Sequence, residues 1–270
     1  MTFVIKNKSI LYSLCVVFFC FTFPGEAQFE KDKARSRVLQ IDQLSLHANL
    51  GFEPEQGTVG GQVTIQFKNI SNHLDSIWLD AIKMNVDQAH LNGLDVPYKI
   101  YEKGIALLPD EELLKDSVYT VLLAYKASPK RGMYFLGWND STQLERKQIW
   151  TQGQGIDNRY WLPHVDAQND KLTCSLSLTF KNSYEVISNG QLDKKDEREN
   201  ETTWHYKMIE PMSSYLLMIA IGKYDMLSET SATNISLSNY YYPKWKDRNE
   251  WTYYKSTELF NWMEKEIGVD

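Results

Sequence analysis

Five histidines, His47, His73, His90, His164 and His205, are the first residues to weigh for metal or proton chemistry. A zinc-binding helix of the His-Glu-x-x-His type needs two imidazoles four residues apart with a glutamate between them as general base. None of the five is followed by Glu, and the closest two are seventeen residues apart. Cys174 falls among the apolar positions of an alternating run, where a thiol is an inert packing group rather than a nucleophile. No Gly-x-Ser-x-Gly elbow presents a serine. Gly153-Gln154-Gly155 begins like a dinucleotide loop but lacks the third glycine and the helix that would hold a pyrophosphate. Carboxylates are plentiful, but spacing alone pairs no two of them for glycosidase chemistry. By themselves these residues describe a module with no visible catalytic constellation.

The elements around them read as strands. Leu172, Cys174, Leu176, Leu178 and Phe180 alternate with Thr173, Ser175, Ser177 and Thr179, the period of a half-buried strand. Val63, Ile65 and Phe67 repeat that pattern with one wet face, and Val121, Leu123 and Tyr125 repeat it with apolar residues on both faces. Ser188-Asn189-Gly190 is a turn signal, and Tyr215 to Ile221 is a continuous apolar run that predicts a strand buried on both faces. Gly60-Gly61, Asn92-Gly93, Pro109-Asp110 and Asn139-Asp140 read as further turns, and the charged run Asp193 to Glu201 as a solvated hairpin tip. Short strands with frequent turns predict an antiparallel sandwich or a large bent sheet. Near the end the period changes. Trp251, Tyr254, Leu259, Trp262, Met263 and Ile267 trace one apolar stripe of a helix over Arg248–Ile267, capped by Asp247 or Asn249 and ended by Gly268. With Ser236 to Tyr242 read as a strand, the change suggests that a second domain begins near residue 227.

The chain has 270 residues, 43% hydrophobic, with 29 Lys and Arg against 35 Asp and Glu. A net charge of −6 without a basic cluster argues against nucleic acid and anionic lipid as partners. Lys6 and Lys8, the apolar run Ile10 to Phe23, and Pro24-Gly25-Glu26-Ala27 form a signal peptide cleaved after Ala27; an uncleaved membrane anchor is the other reading. The apolar run is too short to predict a span, so no transmembrane segment is expected after cleavage. Cys15 and Cys20 would leave with the leader. Cys174 then stands alone, no intrachain disulfide is possible, and the core must hold the fold.

One stretch is more specific than composition: Thr151-Gln152-Gly153-Gln154-Gly155-Ile156-Asp157-Asn158-Arg159-Tyr160-Trp161-Leu162-Pro163-His164-Val165-Asp166, then Asn169-Asp170-Lys171-Leu172. It resembles the N-terminal domain of the zinc aminopeptidase N and leukotriene hydrolase family of gluzincin metallopeptidases. In that family a Thr-Gln-x-Glu/Gln pattern is followed by an Arg, an aromatic, a Pro, an Asp and a Lys opening an amphipathic strand. Ser188-Asn189-Gly190, and Pro211-Met212 before an apolar run, extend the likeness, which is motif-grade over about residues 130–225 and weaker from Leu44 to Tyr125.

The resemblance implies a mainly β fold: a saddle-like antiparallel domain over 28–226 after the signal peptide 1–27, with 227–270 holding the first strand and helix of a truncated, thermolysin-like α/β catalytic domain. In the family zinc is held by His-Glu-x-x-His and a later Glu, and a Gly-x-Met-Glu-Asn loop binds the substrate's free amine; none of these is present here. The chain alone is therefore expected to bind no zinc and to hydrolyse nothing. Gln152 and Gln154 match the family pair that reaches into the active site, the second helping to hold the substrate's N-terminal ammonium. A Gln there offers a carbonyl acceptor without a full charge, and a charged acceptor bonds about twice as strongly. Arg159, Trp161, Pro163 and Asp166 are read as support: an Arg–Asp contact and a Trp on Pro pinning the segment that presents Gln154. His164 is read as hydrogen-bonded scaffold, and Arg131 to Phe135 as a turn entering a strand near the same cleft. The expected partners are a peptide N-terminus and the absent catalytic domain, in a periplasmic or secreted setting. A stand-alone exported peptide- or glycan-binding module is the alternative. In that case the helical stripe must pack on the sheet rather than lie open.

Overall fold

A computed structural model describes residues 38–142 and 146–268. The expected signal peptide 1–27, with Cys15 and Cys20, lies outside them. In chain order the strands are β1 (Ile41–Glu53), β2 (Thr58–Asn69), β3 (Ile77–Asp80), β4 (Met84–Leu91), β5 (Leu94–Asp95), β6 (Tyr98–Tyr101), β7 (Gly104–Leu107), β8 (Val118–Ala127), β9 (Met133–Leu136), β10 (Gln148–Thr151), β11 (Lys171–Lys181), β12 (Glu185–Ser188), β13 (Gln191–Glu197), β14 (Glu201–Ser213), β15 (Ile219–Gly222), β16 (Asp225–Thr230) and β17 (Ser236–Tyr241). Two helices follow, α1 (Lys246–Tyr253) and α2 (Ser256–Ile267). The fold is mainly β, as the alternating runs require.

An eight-stranded sheet runs β13-β14-β11-β1-β2-β8-β4-β5, and a four-stranded sheet runs β12-β15-β10-β9. A three-stranded sheet, β3-β7-β6, and the hairpin β16-β17 complete the set. Pairing is antiparallel except between β1 and β11, which run parallel with Leu46 opposite Cys174 and Leu50 opposite Leu178. The inner face of the large sheet carries the predicted alternation. Val63, Ile65, Phe67, Val121, Leu123, Tyr125 and the five apolar residues of β11, Cys174 among them, are buried in one core. Burial pushes the Cys174 thiol up to about 11, which suits a packing role.

Several local expectations are corrected. Gly60-Gly61 is no turn; both lie inside β2. A Cβ on Gly61 would fall 2.0 Å from the Asn49 carbonyl oxygen and one on Gly60 2.8 Å from that of Tyr125, so the glycines admit close strand approach. Asn92-Gly93 is a turn, with φ of 50° and 82° joining β4 to β5. The charged run Asp193 to Glu201 is mostly the exposed edge strand β13, with only its end forming the turn into β14. Tyr215 to Ile221 is not one buried strand: Ser214–Leu216 is a 3-10 turn, Leu216 is 48% exposed, and β15 starts only at Ile219. Side-chain amides take the place of ladder partners there. Asn189 accepts from the Met218 N–H at 2.6 Å and donates to the Leu216 carbonyl at 3.0 Å.

The predicted helix over Arg248–Ile267 is two helices, broken at Tyr254 and Lys255. Neither Asp247 nor Asn249 caps it; both lie inside α1. Gly268 does end α2, with φ 72° and its N–H on the Glu264 carbonyl at 2.9 Å. The expected boundary at 226/227 falls within β16, whose hairpin with β17 is a sheet of its own.

Candidate functional site

Strands β9 and β10 deliver the Thr151–Asp166 segment. They pair with Tyr134 opposite Trp150, and the two rings stack with centroids 4.6 Å apart. Pairing continues past β10, because the Gln152 N–H donates to the Gly132 carbonyl at 2.8 Å. Gly132 has φ +75°, and a Cβ there would sit 2.0 Å from the Asp157 carbonyl oxygen, so only glycine lets β9 start against this loop. Arg131 donates to Asp157 Oδ2 at 3.0 Å and its guanidinium lies over the Tyr160 ring, which fastens the loop from the same side.

Gln152 and Gln154 are both exposed. Among the described residues neither side chain has a hydrogen-bond partner, so two amides stand free at the rim of the four-stranded sheet. Between them Gly153 is buried. A Cβ on Gly153 would lie 2.4 Å from Oδ1, 2.5 Å from Cγ and 2.5 Å from Nδ2 of Asn158. Asn158 is fully buried and donates through Nδ2 to the carbonyls of Ser214 at 2.7 Å and Leu217 at 3.3 Å. Its Oδ1 accepts from Trp161 Nε1 at 2.8 Å.

Behind the rim lies a buried ionic network. Arg159 donates from its backbone to Asp166 Oδ2 at 3.1 Å, from Nη2 to the Asp166 carbonyl at 2.7 Å, and approaches Asp166 Oδ2 through Nε at 3.4 Å. Its Nη2 also stands 3.6 Å from Asp80 Oδ2. The Asp166 N–H donates to Asp80 Oδ2 at 2.9 Å, and the Ser214 hydroxyl donates to Asp166 Oδ1 at 3.2 Å. Backbone bonds between Asp80 and His164 pin the segment to β3. Burial alone would raise the Asp166 carboxyl, but the contact with His164 and the charges of His164 and Arg159 hold it below the usual carboxylate range. The predicted Arg159–Asp166 contact is therefore present. Trp161 is fully buried and anchored by its indole N–H on Asn158, and its carbonyl accepts from the Tyr125 hydroxyl at 2.9 Å. Pro163 is also buried.

Gln43 and Asp80 escaped the sequence reading, and Asn158 and Asp170 stand in the family-like stretch with no role assigned to them. Gln43 donates through Nε2 to the Val165 carbonyl and to Asp170 Oδ2, both at 2.8 Å, and accepts from the Val165 N–H at 2.9 Å. A polar residue in the buried phase of β1, two after Ile41, was the available signal. Burial pushes the Asp170 carboxyl up to about 6, against the Gln43 hydrogen bonds and with the Asp42 charge adding to the rise.

The histidines have structural partners. His164 is fully buried, with Nδ1 2.9 Å from the Leu162 carbonyl and Nε2 3.5 Å from Asp166 Oδ1. His47 meets Ser175, while His205 bridges Ser177 and Asp196, all at 2.8 Å on the polar face of the large sheet. Burial and the neighbouring His205 lower the His47 pKa. His73 pairs with Glu112 and His90 with Asp95, each at 2.9 Å. Among the described residues no group of three or more His, Cys, Asp or Glu is placed to hold a metal ion, so these residues do not fit a zinc site.

The geometry is that of a braced rim, and comparison with known proteins identifies the family. A family model described as the Peptidase M1 N-terminal domain matches residues 27–216. The chain belongs to this family. Among curated relatives, glutamyl aminopeptidase of Sus scrofa is 24% identical over 249 residues, covering 83% of this chain and 26% of that protein. Leucine aminopeptidase 2 of Candida glabrata is 24% identical over 192 residues, 69% of this chain and 28% of that protein. A crystal structure of the M1 zinc metallopeptidase from Deinococcus radiodurans aligns with a TM-score of 0.65 at 17% identity, over 76% of this chain and 48% of that one. At that identity the likeness is one of fold. The chain thus spans about a quarter of the curated relatives and about half of the solved M1 neighbour.

Proposed function

We propose that this chain is the substrate-docking N-terminal domain of an exported, zinc-dependent aminopeptidase that releases N-terminal residues from peptides. In this reading Gln154, with Gln152 beside it, reaches toward the substrate's free ammonium and offers it a neutral carbonyl acceptor. The carrying observation is the rim itself. Two exposed amides lie within the family-matched segment, at the end of a strand pair, with Arg159, Asp166 and Asn158 bracing the backbone behind them. Zinc, which polarises the scissile carbonyl and activates water in such enzymes, belongs to a part of the protein outside these residues. This chain alone is inactive in that reading.

The exposed apolar side chains of α1, α2 and the break between them support the same view. Trp251 is 81% exposed and Trp262 59% exposed, with Tyr254, Leu259, Met263 and Ile267 also open. An apolar face of this kind fits a domain that is covered by further polypeptide, and it fits the stand-alone module poorly. Export rests on the leader-like first 27 residues, and N-terminal sequencing of the mature protein tests it, with Gln28 expected first.

The functional test uses the full-length product of the gene. It is expected to encode a His-Glu-x-x-His motif, to hold one zinc, and to release N-terminal residues from aminoacyl p-nitroanilides in a chelator-sensitive way. Gln154→Ala is expected to raise KM for all such substrates while the melting temperature stays within a few degrees. A product without the zinc motif, or an unchanged KM across the panel, overturns the reading.

A further inference from the structure

We propose that Asn158 is a positioning residue for amine recognition, acting through its close packing against Gly153; this rests on the reading of Gln154 given above. Nothing in the Thr-Gln-x-Glu/Gln pattern asks for an asparagine here, but the geometry does. The Asn158 carboxamide is fully buried, and each of its polar atoms is engaged: Oδ1 by Trp161, Nδ2 by the Ser214 and Leu217 carbonyls. An amide tied at both ends cannot turn or retreat without leaving buried polar groups unmet, which costs about 1–3 kcal/mol for each. It therefore forms a rigid plate.

Gly153 rests on that plate with no room for even a methyl group, since a Cβ would come within 2.4 Å of Oδ1. The same glycine is fixed on both flanks. Before it, the Gln152 N–H is bound to Gly132; after it, the Asp157 N–H returns to the Gly153 carbonyl at 3.3 Å. The plate sets the depth of the backbone, and the flanking bonds set its direction. Gln152 and Gln154 face solvent because the residue between them is seated against Asn158. Through Ser214 and Leu217 the plate also ties the rim to the segment that leads into β15, so that two stretches distant in sequence share one reference point.

The test compares Asn158→Ala, Gly153→Ala, the double variant and Gln154→Ala in the full-length enzyme. KM and kcat are read with a panel of L-aminoacyl p-nitroanilides. A displaced amine contact weakens ground state and transition state alike, so each single variant at 153 or 158 is expected to raise KM about tenfold with kcat held within about twofold. In the double variant the new methyl enters the space left by the carboxamide. KM is then expected to return to within about threefold of wild type, a non-additivity that separate structural defects would not give. Gly153→Ala leaves the Asn158 hydrogen bonds in place and carries the test if Asn158→Ala does not fold. Unchanged KM in both single variants, or summed losses in the double variant, overturns the positioning role while Gln154→Ala still raises KM. If Gln154→Ala also leaves KM unchanged, the amine-recognition reading falls and the positioning role falls with it.

Discussion

Replacing Arg159 by methionine isolates the electrostatic part of the brace. The methionine keeps much of the apolar stem and removes the guanidinium from a side chain that is 15% exposed and faces the Asp80 and Asp166 side chains, at 4% and 1%. Lost with it are the 2.7 Å bond to the Asp166 carbonyl and the approaches of 3.4 Å to Asp166 and 3.6 Å to Asp80. Removing one partner of a buried ion pair costs about 3–5 kcal/mol, mostly because the remaining charge stays buried. The partial exposure of the Arg159 side chain places this case near the lower end, about 3 kcal/mol. For a chain of this size that is a fall in melting temperature of roughly 6–12 °C. Urea unfolding of the purified chain, followed by tryptophan fluorescence and circular dichroism, measures it; the midpoint should drop while the slope holds. The pH dependence supplies a second check. The folded Asp166 carboxyl lies below its unfolded value, so its stabilising contribution is present above about pH 4 and is lost as the pH falls through the folded value. The gap between wild type and variant should therefore narrow below about pH 4. A loss under about 1 kcal/mol, or a gap equal at pH 3.5 and pH 7, refutes the electrostatic account.

Asp170, raised to about 6, titrates with the opposite sign: its folded form prefers the proton, so stability should decline as pH rises from about 4 to about 6, with the full cost present above that. Asp170→Asn is expected to flatten this slope in a series of thermal melts, and an identical slope in both proteins counts against it. Gly190→Ala should destabilise by about 1–3 kcal/mol in urea, because φ is +80° and a Cβ would meet the Lys207 carbonyl at 2.2 Å. The purified chain should self-associate and bind a hydrophobic dye through α1 and α2, and Trp251→Ser with Trp262→Ser should lower both signals with little change in melting temperature. A wild-type chain that is monomeric and dye-free would remove the support drawn from those side chains.

Local physics was legible in the sequence, and distant pairing was not. The nine alternating residues of β11 could be read because a half-buried strand imposes period two on adjacent residues. Arg159 and Asp166 could be paired because seven residues separate them. Asp80 and Gln43 were missed because their partners in the network are 79 to 86 and 122 or more residues away, and nothing local marks such a meeting. Tyr215 to Ile221 was misread for a related reason. Apolarity indicates that a segment is buried, but Asn158 and Asn189, from elsewhere in the chain, supply the hydrogen bonds that let its backbone turn. Gly60-Gly61 shows that glycine marks either a bend or a close approach, and only the neighbouring strand decides which.

The parallel joint between β1 and β11 orders events as the chain emerges. The antiparallel strand β2 can zip onto β1 as soon as both have emerged, and β8 then joins β2 to β4, but β11 pairs with residues some 128 positions earlier. Until that stretch emerges, the free edge of β1 is an unsatisfied template open to any passing extended chain. Long-range closure of this kind is slow. A holdase that shields β1 would act in the interval between completion of β8 and arrival of β11, when the nascent sheet is half built.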